Sequence, residues 1–384
     1  MLQTASHHRA RARRVGLSIA LSFALASSVG QAQTITAVPQ ANGDTGAQGY
    51  GISANGNAIA VTRNTDTEIR GARWSASRGL EDIGTLGGSP YIFAQGISGN
   101  GEVVVGFTWE GRALRWSRAR GLEDIGNFPG TPIGAYAAAA SFTGNEIAGV
   151  AATEELGYHA FRWTPRGMQD LGTLPGGYTS YAYGISGNGE VVTGLADTAD
   201  FNTVAFRWSG GVMRPLPVLV PGDFAMGFAA DGDGSNIAGV SGSNAVIWQG
   251  DTLRDLGVLG DGTYAVAYAI SANGRVVGAM CGLADYTPNA CVWTERLGLV
   301  NLNTHLAALG VDLTGWTLGS VTGVSADGSS LTGAGTLNGV SRAWVVHVPS
   351  IEGTRGPARS APPATPHSHD SPARRMGRFP VPHH

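Results

Sequence analysis

The chain has 384 residues, of which 59 are Gly and only 14% are charged. All of its basic residues are Arg, and residues 33–349 hold 16 Arg against 26 Asp and Glu, which gives this part a net charge of about −10. Because proteins bind nucleic acid by neutralising phosphates with basic side chains, this balance argues against nucleic acid as a partner.

The first 32 residues have the pattern of a signal peptide. Four Arg and no acid lie within residues 9–14, an apolar run follows over residues 15–29, and the small residues Gly30 and Ala32 come next. We expect cleavage after Ala32 and a mature protein in the periplasm or outside the cell. The apolar run is too short and too Ser-rich for a stable membrane span, and the export route stays open between general secretion and the twin-arginine pathway.

The rest of the chain is dominated by a repeat. The segment "QGISGNGEVVVG" at residues 95–106 returns as "YGISGNGEVVTG" at residues 183–194, and five more divergent copies share the same register. Self-similarity at this period is typical of solenoids and propellers. The seven copies are each followed by a Trp, at spacings of 40 to 51 residues: Trp74, Trp116, Trp163, Trp208, Trp248, Trp293 and Trp344.

Each copy is predicted to form four short strands. Runs of β-branched and aromatic residues are bounded by Gly, Asn and Asp, and no stretch inside the repeats keeps a helical period. We name the strands a (as in "YGIS"), b ("EVVTG"), c ("AFRW") and d ("MQDLGTL"). The Asn-Gly or Asp-Gly between a and b predicts a two-residue type I′ turn, because both positions of that turn need positive φ. Four strands in about 45 residues is the size of a propeller blade.

The two ends of the repeat region predict how a ring closes. The last copy has strands a to c but no d, and an isolated apolar segment at residues 35–40 precedes the first strand a. We therefore expect residues 35–40 to pair beside residues 341–348. The prediction is an all-β, seven-bladed β-propeller of four-stranded blades, closed by an N-terminal strand so that no strand edge is exposed. An open solenoid would need polar capping units, and none is visible.

The repeat also resembles a known family. The pattern "A(F/L)RW…G(L/M)xDLGTLxGGxxSxAxGISxNGxVVxG", as in residues 159–194, is similar to the HAF repeat of bacterial extracellular repeat proteins, and the resemblance covers roughly residues 35–348. The third and fifth copies depart from the pattern in the a-to-b hairpin. The resemblance implies an exported, propeller-like repeat protein without an established activity, and it brings no catalytic residues.

Catalytic patterns are missing from the repeat region of the sequence. His159, His305 and His347 lie in different copies without a metal-binding spacing, and the Ser of each "GISGN" is interpreted as a turn residue. We expect no enzymatic activity; the alternatives are a propeller-type glycoside hydrolase or lyase with unrecognised carboxylates, or a purely structural surface protein. The Arg residues that recur beside the blade Trp are interpreted as blade-edge pairs: Arg73, Arg115, Arg162, Arg207 and Arg342.

One segment resembles a short calcium loop. "DGDGSN" places Asp231, Asp233 and Ser235 at alternate positions, but the later Glu of an EF-hand loop is missing. We expect a lengthened polar turn and no cofactor, with calcium as the alternative.

The only two cysteines, Cys281 and Cys291, fall at the end of strand b and within strand c of the sixth copy. In an oxidising compartment we expect them to form a disulfide, and two buried free thiols are the alternative.

Variable loops predict the face that binds a partner. With strand a nearest the axis, the a-to-b and c-to-d turns lie on one rim, the turn face, and the b-to-c and d-to-a loops lie on the other, the loop face. Exposed aromatic rings suit sugar rings or an extended peptide, so we expect a binding or scaffold module for a protein or glycan; packing of these Tyr in the channel wall is the alternative. We expect the Trp109 side chain either to pack against the neighbouring blade or to be exposed to solvent. The loop face carries aromatic residues that the repeat does not require: Tyr91, Trp109, Tyr158, Tyr178, Tyr181, Tyr264 and Tyr286.

The predicted organisation is thus a signal peptide at residues 1–32, a seven-repeat propeller at residues 33–349 and a tail at residues 350–384. The tail is rich in Pro, Arg and His and has little to bury, so we expect it to be disordered.

Overall fold

A computed structural model describes residues 33–131, 134–155 and 157–353. The predicted signal peptide and all but the first four residues of the predicted tail lie outside the described residues. The described strands form seven four-stranded antiparallel sheets, arranged as the blades of a ring. The predicted all-β, seven-bladed propeller is confirmed.

Blades one to six share one plan, in which four consecutive strands run in the order a, b, c, d across each sheet. Blade 1 contains β2 (Asp44–Ile52), β3 (Ala58–Thr65), β4 (Ile69–Ser75) and β5 (Gly79–Asp82). Blade 2 contains β6 (Ile92–Ile97), β7 (Val103–Thr108), β8 (Ala113–Ser117) and β9 (Gly121–Asp124). Blade 3 contains β10 (Ala135–Ala140), β11 (Ile147–Ala152), β12 (Tyr158–Thr164) and β13 (Gly167–Asp170).

The remaining blades continue the same pattern. Blade 4 contains β14 (Ser180–Ile185), β15 (Val191–Asp197), β16 (Thr203–Ser209) and β17 (Val212–Pro215). Blade 5 contains β18 (Ala225–Ala230), β19 (Asn236–Ser241), β20 (Asn244–Gln249) and β21 (Thr252–Gly257). Blade 6 contains β22 (Tyr264–Ile270), β23 (Val276–Gly282), β24 (Pro288–Thr294) and β25 (Gly298–Asn301).

Blade 7 is completed by the N-terminal strand. It contains β26 (Trp316–Val324), β27 (Ser330–Leu337) and β28 (Val340–His347), and β1 (Thr34–Ala37) pairs antiparallel with β28 as its outer strand. Ile35 lies opposite Val346, and the Val38 N–H donates to the Ala343 carbonyl at 2.9 Å. The predicted ring closure is therefore confirmed, and β28 gains a partner on its outer edge.

The hydrophobic core is divided among the interfaces between neighbouring blades. Between blades 3 and 4, for example, the buried Ala148 and Ala160 pack with Val192, Phe206 and Trp208. Each blade thus buries its apolar face only when the next blade is present, which is why a ring, rather than a single blade, is the stable unit.

The a-to-b turns differ from the predicted type I′ geometry. In blade 1, Gly56 has a φ of 73°, whereas Asn55 keeps a negative φ. The Asn55 Oδ1 instead accepts hydrogen bonds from the Ser53 hydroxyl at 2.7 Å and the Asn57 N–H at 3.0 Å. The Ser53 Oγ accepts from the Ala58 N–H at 3.0 Å. The Asn therefore recurs as a side-chain acceptor inside the turn, and only the Gly supplies the left-handed backbone.

Successive a-to-b turns are joined to one another by backbone hydrogen bonds. Each of these bonds links one blade to the next, and together they form a closed circle on the turn face. This circle explains why the hairpin is the best preserved part of the repeat. The N–H to carbonyl pairs are Ala54 to Gly99, Asn100 to Phe142, Phe142 to Gly187, Asn188 to Gly232, Gly232 to Ala272, Asn273 to Ala326 and Ala326 to Ala54.

The repeated Arg beside the blade Trp strengthens the same joints in the first half of the ring. Arg73 Nε donates to the Gly101 carbonyl of the next blade at 2.6 Å, and Arg162 Nε donates to that of Gly189 at 2.8 Å. Arg115 and Arg207 make the equivalent bonds to Gly144 and Gly234. These side chains thus connect neighbouring blades, which refines their interpretation as blade-edge pairs.

A short helix that the repeat pattern does not predict follows blade 6. Helix α1 (Leu302–Ala308) is capped by the Asn301 side chain and buries Leu302 and Leu306 between blades 6 and 7. The His305 Nε2 lies 2.6 Å from the Ile351 carbonyl oxygen, and Ile351 is buried in the same cluster. Packing therefore extends past the predicted propeller boundary at residue 349.

Cys281 and Cys291 are joined in the structure, with Cα atoms 6.1 Å apart. Cys281 lies opposite Asn289 and Cys291 lies opposite Ala279, so the disulfide crosses β23 and β24 diagonally. Both residues are fully buried.

Candidate functional site

Trp109 lies at the tip of the b-to-c loop of blade 2 and is 56% exposed. Its ring centroid lies 6.3 Å from that of Tyr91 and 6.4 Å from that of Phe93, and the backbone N–H of Trp109 donates to the Tyr91 carbonyl at 3.2 Å. Both partners belong to blade 2. Trp109 therefore meets solvent, supported by its own blade rather than by the neighbouring one.

Further rings continue from Trp109 toward blade 4. Phe93 stacks on Phe107 with centroids 4.9 Å apart, and Phe107 meets Tyr136 edge-on at 5.2 Å. Tyr158 stacks on Tyr181 at 5.8 Å. Burial raises the pKa of Tyr136 to about 12, and the nearby phenols of Tyr158 and Tyr181 act in the same direction. We call this set the aromatic band: Tyr91, Phe93, Phe107, Trp109, Tyr136, Tyr158 and Tyr181.

A second aromatic surface is formed by Tyr178 and Phe201 of blade 4. Their rings are parallel within 3°, with centroids 5.9 Å apart, and the residues are 67% and 73% exposed. The Asp197 Oδ1 accepts from the N–H groups of Tyr178 and Thr179 at 2.9 and 2.6 Å, which fixes the loop that carries Tyr178. We call the two rings the aromatic platform.

Phe201 was not predicted from the sequence. It has a positive φ of 60° at the tip of the b-to-c loop, and Tyr286 has a φ of 65° at the equivalent tip in blade 6. The signal was available as "AD" followed by an aromatic residue in both loops, "ADFN" and "ADYT". A bulky residue rarely adopts this backbone conformation, and here each loop uses it to present an aromatic ring to solvent.

The two predicted residues of blade 6 stand apart from the other five. Tyr286 is 62% exposed, while Tyr264 is half-buried, and a Cβ on Gly282 would collide with its ring. Neither makes a ring contact with another aromatic residue in the described part of the chain. Within the aromatic band the structure thus brings Tyr91 into contact with Trp109, and Tyr158 into contact with Tyr181. It places Tyr178 in the platform and Tyr264 and Tyr286 elsewhere on the loop face.

His159 lies beside Tyr158 at the edge of the band, and its Nδ1 is 2.9 Å from Asp170 Oδ2. The hydrogen bond with Asp170 raises the pKa of His159 above its ordinary value, although burial acts in the opposite direction. Burial tends to raise the pKa of Asp170, but hydrogen bonds from His159 and the Gly172 N–H outweigh it and lower that pKa. The two groups thus form an ion pair at pH values between the lowered pKa of Asp170 and the raised pKa of His159.

The charge of the loop face is mainly negative. Arg63 is buried and pairs with Asp44 at 2.8 Å and Asp82 at 2.7 Å, and Arg112 pairs with Asp124 at 2.9 Å. These Arg are already neutralised by carboxylates. The loops also carry acids at many positions: Asp66, Glu68, Glu110, Glu154, Glu155, Asp197, Asp200 and Asp285.

The possible calcium residues serve the turn of blade 5. Asp231 is buried, and its carboxylate accepts from the Asn236 N–H at 3.1 Å and the Asn236 amide at 2.6 Å. Asp233 Oδ1 accepts from the Ser235 N–H at 2.8 Å. Asp231 occupies the position that Ser holds in the other hairpins, so these oxygens have partners within the turn.

Comparisons with known proteins identify the fold. No family model matches the chain, and no curated protein matches it. Among solved structures, the chain is similar to an oligogalacturonate lyase from Vibrio parahaemolyticus, with a TM-score of 0.56 and 9% identity over 82% of this chain and 93% of that one. It also matches a chain assigned as TolB from Agrobacterium tumefaciens, with a TM-score of 0.45 and 18% identity over 71% of this chain and 95% of that one. The HAF-repeat assignment stays a prediction.

The expectation that the chain has no enzymatic activity is corrected by the first of these comparisons. A protein with the same fold over most of its length is a lyase. Because catalytic groups in a propeller come from loops on different blades, they leave no contiguous motif, so the missing motif was not an argument against catalysis. At 9% identity the likeness shows the fold and does not transfer the reaction.

Within the part of the chain that the structure describes, no helix is long and apolar enough to cross a membrane.

Proposed function

We propose that this propeller binds an extended, uncharged glycan on its loop face, through the aromatic band and the aromatic platform. The observation that carries the proposal is the pair Tyr178 and Phe201, two parallel rings that are 67% and 73% exposed. Aromatic side chains usually bury most of their surface in a folded protein, and flat exposed rings are what the C–H faces of sugar rings pack against.

The band supports a ligand longer than one sugar. Ring contacts run from the exposed Trp109 through Phe93 and Phe107 to Tyr136, whose buried ring supports the others from below, and the platform lies on the next blade. A linear chain of sugars can contact several rings at once, while its hydroxyls donate to the loop carboxylates. An extended peptide could use the same rings, but the parallel faces favour sugars.

The charge of the face selects against acidic glycans. Its Arg residues are largely paired, and its loop carboxylates would repel a uronate or sulfate group. The ligand class thus differs from the substrate that the name of the Vibrio lyase indicates. The predicted export signal and the disulfide support a location outside the cytoplasm, where polysaccharides are encountered.

The test is binding of the full protein to immobilised neutral and acidic oligosaccharides. A Tyr178→Ala/Phe201→Ala variant should lose at least about tenfold in affinity for the neutral ligand, as expected for central aromatic anchors. Phe142→Ala is the matched control, because Phe142 is 50% exposed on the turn face. The proposal is overturned if the protein prefers acidic sugars or peptides, or if it binds none of these ligands. Assaying the same incubation for new reducing or unsaturated ends shows whether the bound glycan is cleaved.

A further inference from the structure

The seven inner strands share a feature where they line the central channel. Every inner strand carries a β-bulge at the same level, which adds one residue between its pairings with strand b. A bulge of this kind re-aims a side chain, here toward the axis. The residue after the bulge is always Gly or Ala, since the next inner strand is close: a Cβ on Gly184 would lie 2.6 Å from the Phe228 carbonyl oxygen.

The bulge residues themselves are not uniform. Blades 4, 5 and 6 contribute Tyr183, Phe228 and Tyr268, whose rings form a continuous arc with centroids 5.4 and 5.0 Å apart. Blade 3 contributes only Ala138. Side chains chosen merely to fill the channel would be expected on all sides, whereas this ring has an aromatic wall and a gap.

The side of the ring that faces the arc is polar. Blades 1 and 2 lie across the axis from blade 5 and contribute Tyr50 and Gln95. The Tyr50 hydroxyl donates to Gln48 Oε1 at 2.7 Å and is in hydrogen-bonding reach of Gln95. Burial raises the pKa of Tyr183 to about 12, so its phenol stays protonated and able to donate.

These residues line a cavity of 220 Å³ on the axis. A single water needs only about 15 Å³ of such space, so the cavity has room for a ring of several atoms. Its walls are the bulge residue and the two residues that follow it in each inner strand, which places it between the aromatic arc and the a-to-b turns. All of its lining side chains are uncharged.

We propose that this axial cavity is a second binding site, separate from the loop face, for one uncharged ring that carries hydroxyl groups, such as a neutral monosaccharide. One face of the ring packs on the arc of Tyr183, Phe228 and Tyr268. Its hydroxyls bond to the phenols, to Gln95 and to the peptide groups of the bulges. A carboxylate or ammonium would be desolvated there without a partner charge, so charged sugars are excluded.

Ligand-observed NMR on the full chain tests the site, with glucose, galactose and N-acetylglucosamine as neutral probes and galacturonate as the charged counterpart of galactose. Saturation transfer to a neutral sugar is expected, and none to galacturonate. Ala138→Tyr places in blade 3 the residue that blades 1, 4 and 6 hold at the equivalent position, so it should fold, fill the gap and abolish the signal. Phe228→Leu keeps apolar bulk without a ring face and should weaken binding about tenfold or more.

The variants separate this site from the loop face. Tyr178→Ala/Phe201→Ala should leave the cavity signal unchanged, and Ala138→Tyr should leave binding of long glycans unchanged. The inference is overturned if no neutral sugar binds at millimolar concentration, if galacturonate binds as well as galactose, or if both cavity variants, shown to be folded by thermal melts, bind like the parent protein.

Discussion

Removal of the N-terminal segment should destabilise the whole ring, because β1 and the residue that follows it, Val38, contribute to two blade interfaces. Val38 is 1% exposed and packs with Ala47 and Ile59 of blade 1, while Ile35 packs against the core between blades 6 and 7. Burial of one aliphatic side chain contributes about 1.5 to 3 kcal/mol, and each lost backbone hydrogen bond to β28 about 1 kcal/mol. Because Ile35 is only partly buried, two side chains at the lower bound and two hydrogen bonds give a total of roughly 5 kcal/mol.

For a domain of this size, 5 kcal/mol corresponds to a fall in Tm of about 10 °C. The measurement compares thermal unfolding of a chain that starts at Asn42 with one that starts at Gln33. The shortened chain should also associate at lower concentration, since the outer edge of β28 is then unpaired. Thr36→Ala in the longer chain is the control, because Thr36 faces solvent and its loss should change Tm by about 1 °C or less. Equal Tm values for the two chains would refute the closure argument.

Three further outcomes are expected. Trp109→Ala should leave Tm nearly unchanged but weaken glycan binding by about 2 kcal/mol. Trp116→Ala removes a buried ring and should lower the free energy of unfolding by about 3 kcal/mol or more. A clearly lower Tm for the Trp109 variant would show that this residue is structural and not part of the site. Intact-mass analysis of unreduced protein after alkylation should find no free thiol, and two alkylated thiols would contradict the disulfide. The Cys281→Ala/Cys291→Ala variant should lose about 2 to 3 kcal/mol of the free energy of unfolding. Because the pKa of His159 is raised in the folded state, the stabilisation by its ion pair is complete below the ordinary pKa of about 6.5 and is lost as pH rises through the raised value. In the His159→Gln variant, Tm should therefore fall less over this pH range than in the parent protein. An unaltered profile of Tm against pH would show that the ion pair does not contribute to stability.

The hairpin repeat was sufficient to predict the blades, their number and the closing strand, because each of these depends on local turn chemistry and on alternation along single strands. Helix α1 was missed since residues 299–303 continue the strand-d pattern, and only the capping by Asn301 and the burial of Leu302 and Leu306 between two blades favour a helix there. Whether such a short segment forms a helix depends on its tertiary packing rather than on the helix propensity of its residues.

The candidate sites show the same division. The position of Trp109 in a loop of the loop face could be predicted, because the repeat requires no aromatic residue there, but whether its ring meets solvent could not. The arc of Tyr183, Phe228 and Tyr268 could not, since each residue is unremarkable within its own copy. The arc exists only when seven bulges meet on one axis, and no local pattern records which blades are neighbours across it.

The two most divergent copies show which atoms the ring requires. In blade 3 the Ser141 hydroxyl donates to Glu146 Oε2 at 2.6 Å, where blades 1, 2, 4 and 6 use an Asn and blade 7 uses Asp327. In blade 5 the Asp231 carboxylate accepts from the Asn236 N–H in place of the Ser hydroxyl. Both hairpins keep a side-chain oxygen that accepts a hydrogen bond inside the turn. Both also keep the turn Gly, whose carbonyl accepts a hydrogen bond from the Arg of the preceding blade. The turn face thus tolerates few changes, because every hairpin also bonds to its neighbours. The loops of the loop face are not constrained by such a circle of hydrogen bonds, so their sequences can vary and can include the exposed rings of Trp109 and Phe201.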